Sequence, residues 1–188
     1  MAKPETLKGV GSNFPVQTAA QLNGQFAKDP KLKGQSPSWI WINKEGSGHT
    51  FTHFRKTFEL GKVPKSVQLF VSCDNEARIW INGHETKEHL DWREPNVINI
   101  TPHLKKGTNL IAIRGKDWEF GAGLAALFAY MHSSDGNHIV TDNSWQASAT
   151  ASGNWERKAT VAGFTPAAVV QPLGAGPWGD ILARYLQI

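Results

Sequence analysis

The chain has a single cysteine, Cys73, among its 188 residues. One thiol excludes an internal disulfide framework and any zinc or haem site built on several cysteines. Because Cys73 ends an apolar stretch, we expect it to be a small buried residue rather than a reactive one. The chain also has no apolar run that approaches the roughly 18 residues of a membrane-spanning helix, so we expect no membrane partner.

Charge of one sign is not concentrated anywhere in the sequence. The net charge is +4, and the 20 Lys and Arg residues form no run longer than a pair, which argues against nucleic acid as a partner. Several catalytic signatures are missing as well, since the sequence contains no Gly-x-Ser-x-Gly elbow, phosphate-binding loop or His-Glu-x-x-His run. The sequence therefore carries none of these three catalytic or phosphate-binding signatures.

Alternating apolar and polar residues are abundant and are clearest at 67–83. This alternation predicts two β-strands, which we expect to pair as a hairpin through the polar residues 73–76. The Asn82-Gly83 pair then favours a turn with positive φ that reverses the chain again. Three consecutive antiparallel strands are typical of a β-sandwich.

Strand-like segments continue from residue 38 to residue 150, with turn residues between them. We therefore predict an all-β chain with one antiparallel sandwich domain at 38–188, including an irregular C-terminal tail. Residues 1–37 form an irregular lead-in with a short helix near 18–22. The first ten residues contain no apolar signal-peptide core, which also fits a domain excised from a larger secreted protein.

Because successive antiparallel strands alternate in direction, we expect five loops at one end of the sandwich, at 44–50, 73–76, 89–96, 116–122 and 142–143. Loops on a rigid scaffold often carry function. The chain has eight Trp residues, and some of them lie in these loops. An indole ring stacks on the C–H face of a sugar while charged side chains bond its hydroxyls, so this composition favours a sugar ligand. The candidate ligand-binding residues are Trp92, Trp118, Asp91, Arg93, Asp117, Glu119, Asp74, Asn75 and His49.

Four of the candidates also have a structural interpretation. Trp92 and Trp118 are equally typical of residues that anchor a loop, and Asp74 and Asn75 are typical of residues that cap a turn. Two carboxylates on these loops also match the pair that a glycosidase needs, provided that their separation is right. We expect no organic cofactor, but the Asp and Asn oxygens fit a structural calcium ion.

Five segments resemble, in the same order, those of a known family. They are FRKTF at 54–58, the strand and turn at 74–83, the segment 99–113, TDNSW at 141–145 and GPWG at 176–179. Together they are similar to the galactose-binding-like jelly roll attached to glycoside hydrolases. Such domains include the sugar-binding domain of β-galactosidases and the N-terminal domain of α-L-rhamnosidases.

The resemblance covers about residues 38–179 and implies a jelly-roll β-sandwich. In the parent enzymes this module is non-catalytic, and the active site lies in a separate barrel. The resemblance therefore implies a carbohydrate-binding module for plant or microbial oligo- or polysaccharide, extracellular or periplasmic within a larger secreted protein. The alternatives are a structural accessory domain packed on a catalytic neighbour and a small standalone glycan hydrolase.

Overall fold

A computed structural model describes residues 18–28, 36–118 and 123–181 of the chain. These residues form two antiparallel sheets packed face to face, which confirms the predicted all-β sandwich. The elements are α1 Ala19–Lys28, β1 Ser38–Trp41, β2 Phe51–Leu60, β3 Val67–Asp74, β4 Glu76–Ile81, β5 His84–Glu85, β6 Asn96–Asn99, β7 Gly107–Lys116, β8 Ala126–Ser133, β9 His138–Val140, β10 Gln146–Ser148, β11 Thr165–Pro166 and β12 Ala168–Pro172, with a 3-10 turn at Thr101–His103.

The two sheets differ in strand order. The first sheet runs β12-β1-β8-β3-β6, with β9 also paired to β8, and the second runs β11-β10-β2-β7-β4-β5. The longest ladder joins β2 to β7 over ten residue pairs, from Phe51 opposite Lys116 to Leu60 opposite Gly107. In the first sheet, β3 pairs with β8 along its whole length. These two ladders form the rigid centre of the sandwich.

The predicted hairpin between β3 and β4 is wrong. β3 pairs with β6 and β8 in the first sheet, whereas β4 pairs with β5 and β7 in the second. The turn at Asn75 therefore carries the chain from one sheet to the other. Alternation predicts that each strand buries one face, and both β3 and β4 do so. It does not show which strands are hydrogen-bonded neighbours. The turn at Asn82 and Gly83 is confirmed, with φ of 51° and 82°.

The inner faces of the two sheets bury the main core. Its large members include Trp41, Phe54 and Trp145, and Cys73 is fully buried among them, as expected. Burial raises the pKa of the Cys73 thiol, so the residue is inert. A Cβ on Gly115 would lie 2.8 Å from the Trp41 ring, so the close packing of β7 on this ring requires glycine.

A second cluster lies on the outer face of the first sheet. It contains Leu22 of α1, Trp39, and Trp178 and Ile181 of the C-terminal segment. Regular alternation would place Trp39 and Trp41 on one side of β1, but the register shifts between residues 39 and 40 and the two rings lie in different clusters.

The helix predicted near 18–22 is present and extends to Lys28. The domain boundary after residue 37 stays a prediction. None of the helices among the described residues has the length and apolar character needed to cross a membrane.

Candidate functional site

Residues 42–50, 74–76, 86–95 and 117–118 lie together, and we call this region the loop end. The Asn75 N–H donates to the Lys116 carbonyl at 2.9 Å, and the Asp117 N–H donates to the Thr50 carbonyl at 2.9 Å. His89 ties the loop 86–95 to β3, because its Nε2 accepts the backbone N–H of Cys73 at 3.0 Å. The strand directions therefore gather the predicted loops 44–50, 73–76, 89–96 and the described part of 116–122. The prediction fails for 142–143, because the adjacent Ser144 hydroxyl is hydrogen-bonded to Lys56 in the middle of β2.

A cleft of about 230 Å³ opens at the loop end. Its lining residues are Asp74, Asn75, Asp117, Leu124 and Pro177. The first three belong to the predicted candidates, while the last two add an apolar wall. The cleft therefore combines oxygen acceptors with a small hydrophobic surface, which is the usual composition of a small-molecule site.

Hydrogen bonds hold the polar lining in place. The Asn75 Nδ2 donates to Asp74 Oδ1 at 2.8 Å, and the Asn75 Oδ1 accepts the backbone N–H of Trp118 at 2.8 Å. The buried Trp178 Nε1 donates to Asp74 Oδ2 at 2.8 Å. Because these groups are fixed before any ligand arrives, binding would cost little side-chain ordering.

Trp118 presents its ring to solvent beside this cleft. Its exposed fraction is 54%, and its backbone is tied to Asn75. The Lys116 Nζ lies 5.2 Å from the centre of the Trp118 ring, a distance at which a cation is attracted to an indole. The ring is thus exposed on the segment that follows the lining residue Asp117, although Trp118 does not itself line the cleft. The predicted residue Glu119 lies outside the described residues.

Trp92 has a different environment. It is partly buried against the cluster on the outer face of the first sheet, and its carbonyl accepts the Ser72 hydroxyl at 2.9 Å. This arrangement favours the loop-anchoring interpretation of Trp92, which does not line the cleft. A sugar-stacking role for Trp92 stays a prediction.

Asp91 and Arg93 bond each other. The Arg93 Nη2 donates to Asp91 Oδ2 at 2.7 Å, and the Arg93 Nε donates to Asp91 Oδ1 at 3.0 Å. These hydrogen bonds lower the pKa of the Asp91 carboxyl. Neither residue lines the cleft, and neither does the exposed His49. A ligand contact by these three residues remains a prediction.

Sequence reasoning missed His89, Leu124, Pro177 and the supporting role of Trp178. His89 is buried and is held by two backbone hydrogen bonds to Ala77. Burial lowers its pKa to about 4. The residues of the polar loop around His89 give no sign of this burial, whereas the resemblance at 176–179 pointed to the segment that carries Pro177 and Trp178.

The calcium site stays a prediction. Within the described ranges, no group of three or more His, Cys, Asp or Glu side chains is placed to hold a metal ion. Asp74 and Asp117 supply carboxylate oxygens of the kind that calcium prefers, but this ion takes roughly six to eight oxygen ligands. Two carboxylates alone do not make such a site.

No family model matches the chain. Over 165 residues it is 29% identical to an α-L-rhamnosidase from Streptomyces avermitilis, and the alignment covers 81% of the chain and 16% of that enzyme. The chain is homologous to part of an α-L-rhamnosidase. It spans about one-sixth of the length of the curated relative that it matches.

Solved structures agree with this relationship. The S. avermitilis α-L-rhamnosidase complexed with L-rhamnose has a TM-score of 0.69 and 26% identity, covering 77% of this chain and 15% of that one. A lectin from Pleurotus ostreatus in complex with GalNAc has a TM-score of 0.67 and 25% identity, covering 78% and 45%. A GH78 family rhamnosidase of Bacillus sp. GL1, at 20% identity and a TM-score of 0.66, covers 78% and 20% and shows the fold alone.

These similarities confirm the resemblance to a galactose-binding-like β-sandwich domain. They support a sugar-binding or accessory domain related to glycoside hydrolases.

Proposed function

We propose that the chain is a non-catalytic carbohydrate-binding module whose loop-end cleft holds one sugar unit. The observation that carries this proposal is the cleft itself. Asp74, Asn75 and Asp117 line it together, and an exposed Trp118 is hydrogen-bonded to Asn75 beside it. This arrangement sits on a fold shared with a lectin and with rhamnosidases.

Each side chain has a distinct part in sugar binding. Ionised carboxylates only accept hydrogen bonds, so Asp74 and Asp117 would accept from sugar hydroxyls. The Asn75 amide carries two N–H groups and gives one to Asp74, so the other can donate to a hydroxyl. The Trp118 ring would stack on the C–H face of the sugar. A shallow, wet site of this kind gives micromolar to millimolar affinity.

The size of the cleft favours a single sugar unit. Its volume of about 230 Å³ lies below the roughly 300–1,000 Å³ of clefts that enclose drug-sized ligands. Leu124 and Pro177 form an apolar wall, which suits the methyl group of a 6-deoxy sugar. L-rhamnose, the ligand of the homologous enzyme, is therefore the first candidate, and GalNAc, the ligand of the lectin, is the second. The polymer would be a plant or microbial polysaccharide.

An accessory role beside a catalytic domain is the second candidate function. The observation that favours it is the share of the homologous enzyme that the chain covers, 16%. In this case the chain would be part of a larger secreted glycoside hydrolase and would pack on its neighbour. A module can do both, because the loop end and a packing face need not overlap.

Calorimetric titration with L-rhamnose and with GalNAc tests the proposal, together with a glycan array. Trp118→Ala and Asp117→Asn should each weaken binding at least tenfold, equivalent to about 1.4 kcal/mol. The matched control is Val63→Ala, which removes another exposed apolar side chain, 38% exposed, between β2 and β3 at the opposite end of the sandwich, and should change nothing.

Two outcomes separate the alternatives, and a further titration tests the ion. Normal folding with no binding to any glycan would favour the accessory role. Release of reducing sugar from a polysaccharide panel would establish a hydrolase and contradict the proposal. Repeating the titration with a calcium chelator tests the proposed ion, since a bound calcium would make the affinity sensitive to the chelator.

A further inference from the structure

Three basic or titratable side chains stand in one row on the outer face of the second sheet. His53 of β2 lies opposite Arg114 of β7, and Arg114 lies opposite Arg78 of β4. Side chains directly opposite across antiparallel strands are close neighbours, and like charges there destabilise a sheet. The pairing of two arginines is therefore a cost to folding that a bound anion would relieve.

Arg114 differs from its basic neighbours in its partners. Arg78 forms ion pairs with Glu88 at 3.2 Å and with Glu85 at 3.9 Å. Lys116 forms one with Glu76 at 3.4 Å. Among the described residues, no carboxylate lies within ion-pair distance of Arg114. Arg114 is thus the arginine in this row that has no carboxylate partner among residues 18–28, 36–118 and 123–181.

An aromatic ring holds the Arg114 guanidinium. The carbon at its centre lies 5.1 Å from the centre of the Phe51 ring, and Phe51 is 38% exposed. Stacking of this kind orients the planar group and leaves its N–H donors available. Lys116 follows two residues later on the same strand face, about 7 Å away, and reaches the Trp118 ring.

We call the surface formed by Phe51, Arg78, Arg114 and Lys116 the strip. Another segment of the chain covers the sheet on one side of the strip, and the other side leads towards the loop end. The segment 151–164 covers the adjoining part of the sheet, where Trp155 packs on Leu110 and Ala112. In the opposite direction the strip runs through Lys116 to Trp118 at the cleft. A glycan held at the cleft would therefore meet this strip with its next units.

We propose that the strip binds a carboxylate-bearing sugar unit of an acidic polysaccharide. Arg114 would donate hydrogen bonds to the sugar carboxylate, and Phe51 would contact the C–H face of the ring. The inference rests on the proposed function in taking a glycan as the ligand. Nucleic acid fits less well, because its phosphates need several free cations in a line, and this strip offers one.

Affinity electrophoresis with polygalacturonate tests the inference, with the methyl-esterified polymer as the neutral probe. The unaltered chain should bind the acidic polymer more tightly, and rising salt should weaken this preference. Arg114→Gln should lose about three- to tenfold in affinity for polygalacturonate and little for the esterified polymer. Arg114→Lys should recover part of the loss because it restores the charge.

The matched control is Lys106→Gln, the same loss of charge on the exposed turn that precedes β7, about 25 Å along the strand from Arg114. Equal affinity for the two polymers, or an equal loss in the control, would overturn the inference. So would tighter, Arg114-dependent binding of DNA.

Titration with L-rhamnose separates this test from that of the proposed function. Arg114→Gln should bind L-rhamnose as the unaltered chain does. If the chain binds L-rhamnose but Arg114→Gln leaves the affinity for polygalacturonate unchanged, this inference alone is contradicted. An Arg114 effect without sugar binding at the cleft would sink the cleft proposal alone.

Discussion

Lowering the pH from about 6.5 to about 4 is expected to destabilise the folded chain through His89. The imidazole is buried, and its Nε2 lies 3.0 Å from the nitrogen and 3.1 Å from the oxygen of Cys73. Burial lowers the pKa of His89 to about 4, although the hydrogen bond to Cys73 partly opposes this effect. The ordinary value in an unfolded chain is about 6.5.

The sign and size of the effect follow from proton linkage. Between pH 6.5 and pH 4 the unfolded chain binds a proton at His89 that the folded chain does not. The free energy of unfolding therefore decreases as the pH is lowered. A shift of about 2.5 pKa units at about 1.36 kcal/mol each gives a loss of about 3 kcal/mol. This stability is fully present above the unfolded pKa.

Urea denaturation across this pH range measures the effect, with His89→Gln as the comparison. The comparison is needed because burial also lowers the pKa values of His53 and His132. The free energy of unfolding should fall more steeply with acid in the unaltered chain than in the variant. Parallel curves, or an NMR titration of His89 in the folded chain near pH 6.5, would refute the reasoning.

Two further substitutions test the packing around the site. Gly115→Ala should destabilise the chain by about 1–3 kcal/mol, because the added Cβ would lie 2.8 Å from the Trp41 ring and 3.1 Å from the Cys73 sulfur; an unchanged melting temperature would contradict this packing. Trp178→Phe should cost about 1–3 kcal/mol, because it removes the N–H that Asp74 accepts, and it should weaken sugar binding as well. Normal affinity in this variant would show that Asp74 does not need the bond.

The sandwich could be predicted from the sequence because alternation reveals each strand's buried face. β2 and β7 follow such patterns, and both lie where expected. The separation of β3 and β4 into different sheets could not be predicted, since both strands bury one face against the same core. Which strands are neighbours depends on the whole set of contacts rather than on one segment.

The candidate site could be predicted in part. Alternating strand directions predicted that Asp74, Asn75 and Asp117 lie at the same end of the sandwich, and all three line one cleft. Loop composition could not separate Trp118 from Trp92, because both are Trp residues in polar loops and only tertiary packing covers one of them. Leu124 and Pro177 could not be predicted as cleft residues, because only tertiary packing places them beside Asp74.

Chemical-shift mapping with L-rhamnose tests the central claim most directly. Amide spectra would be recorded as the sugar is raised through the millimolar range. The cleft proposal predicts saturable shifts at Asn75, Asp117, Trp118 and Leu124, with Lys106 unmoved. Shifts that cluster elsewhere, or no saturable shift with L-rhamnose or with GalNAc, would contradict a sugar site at the loop end.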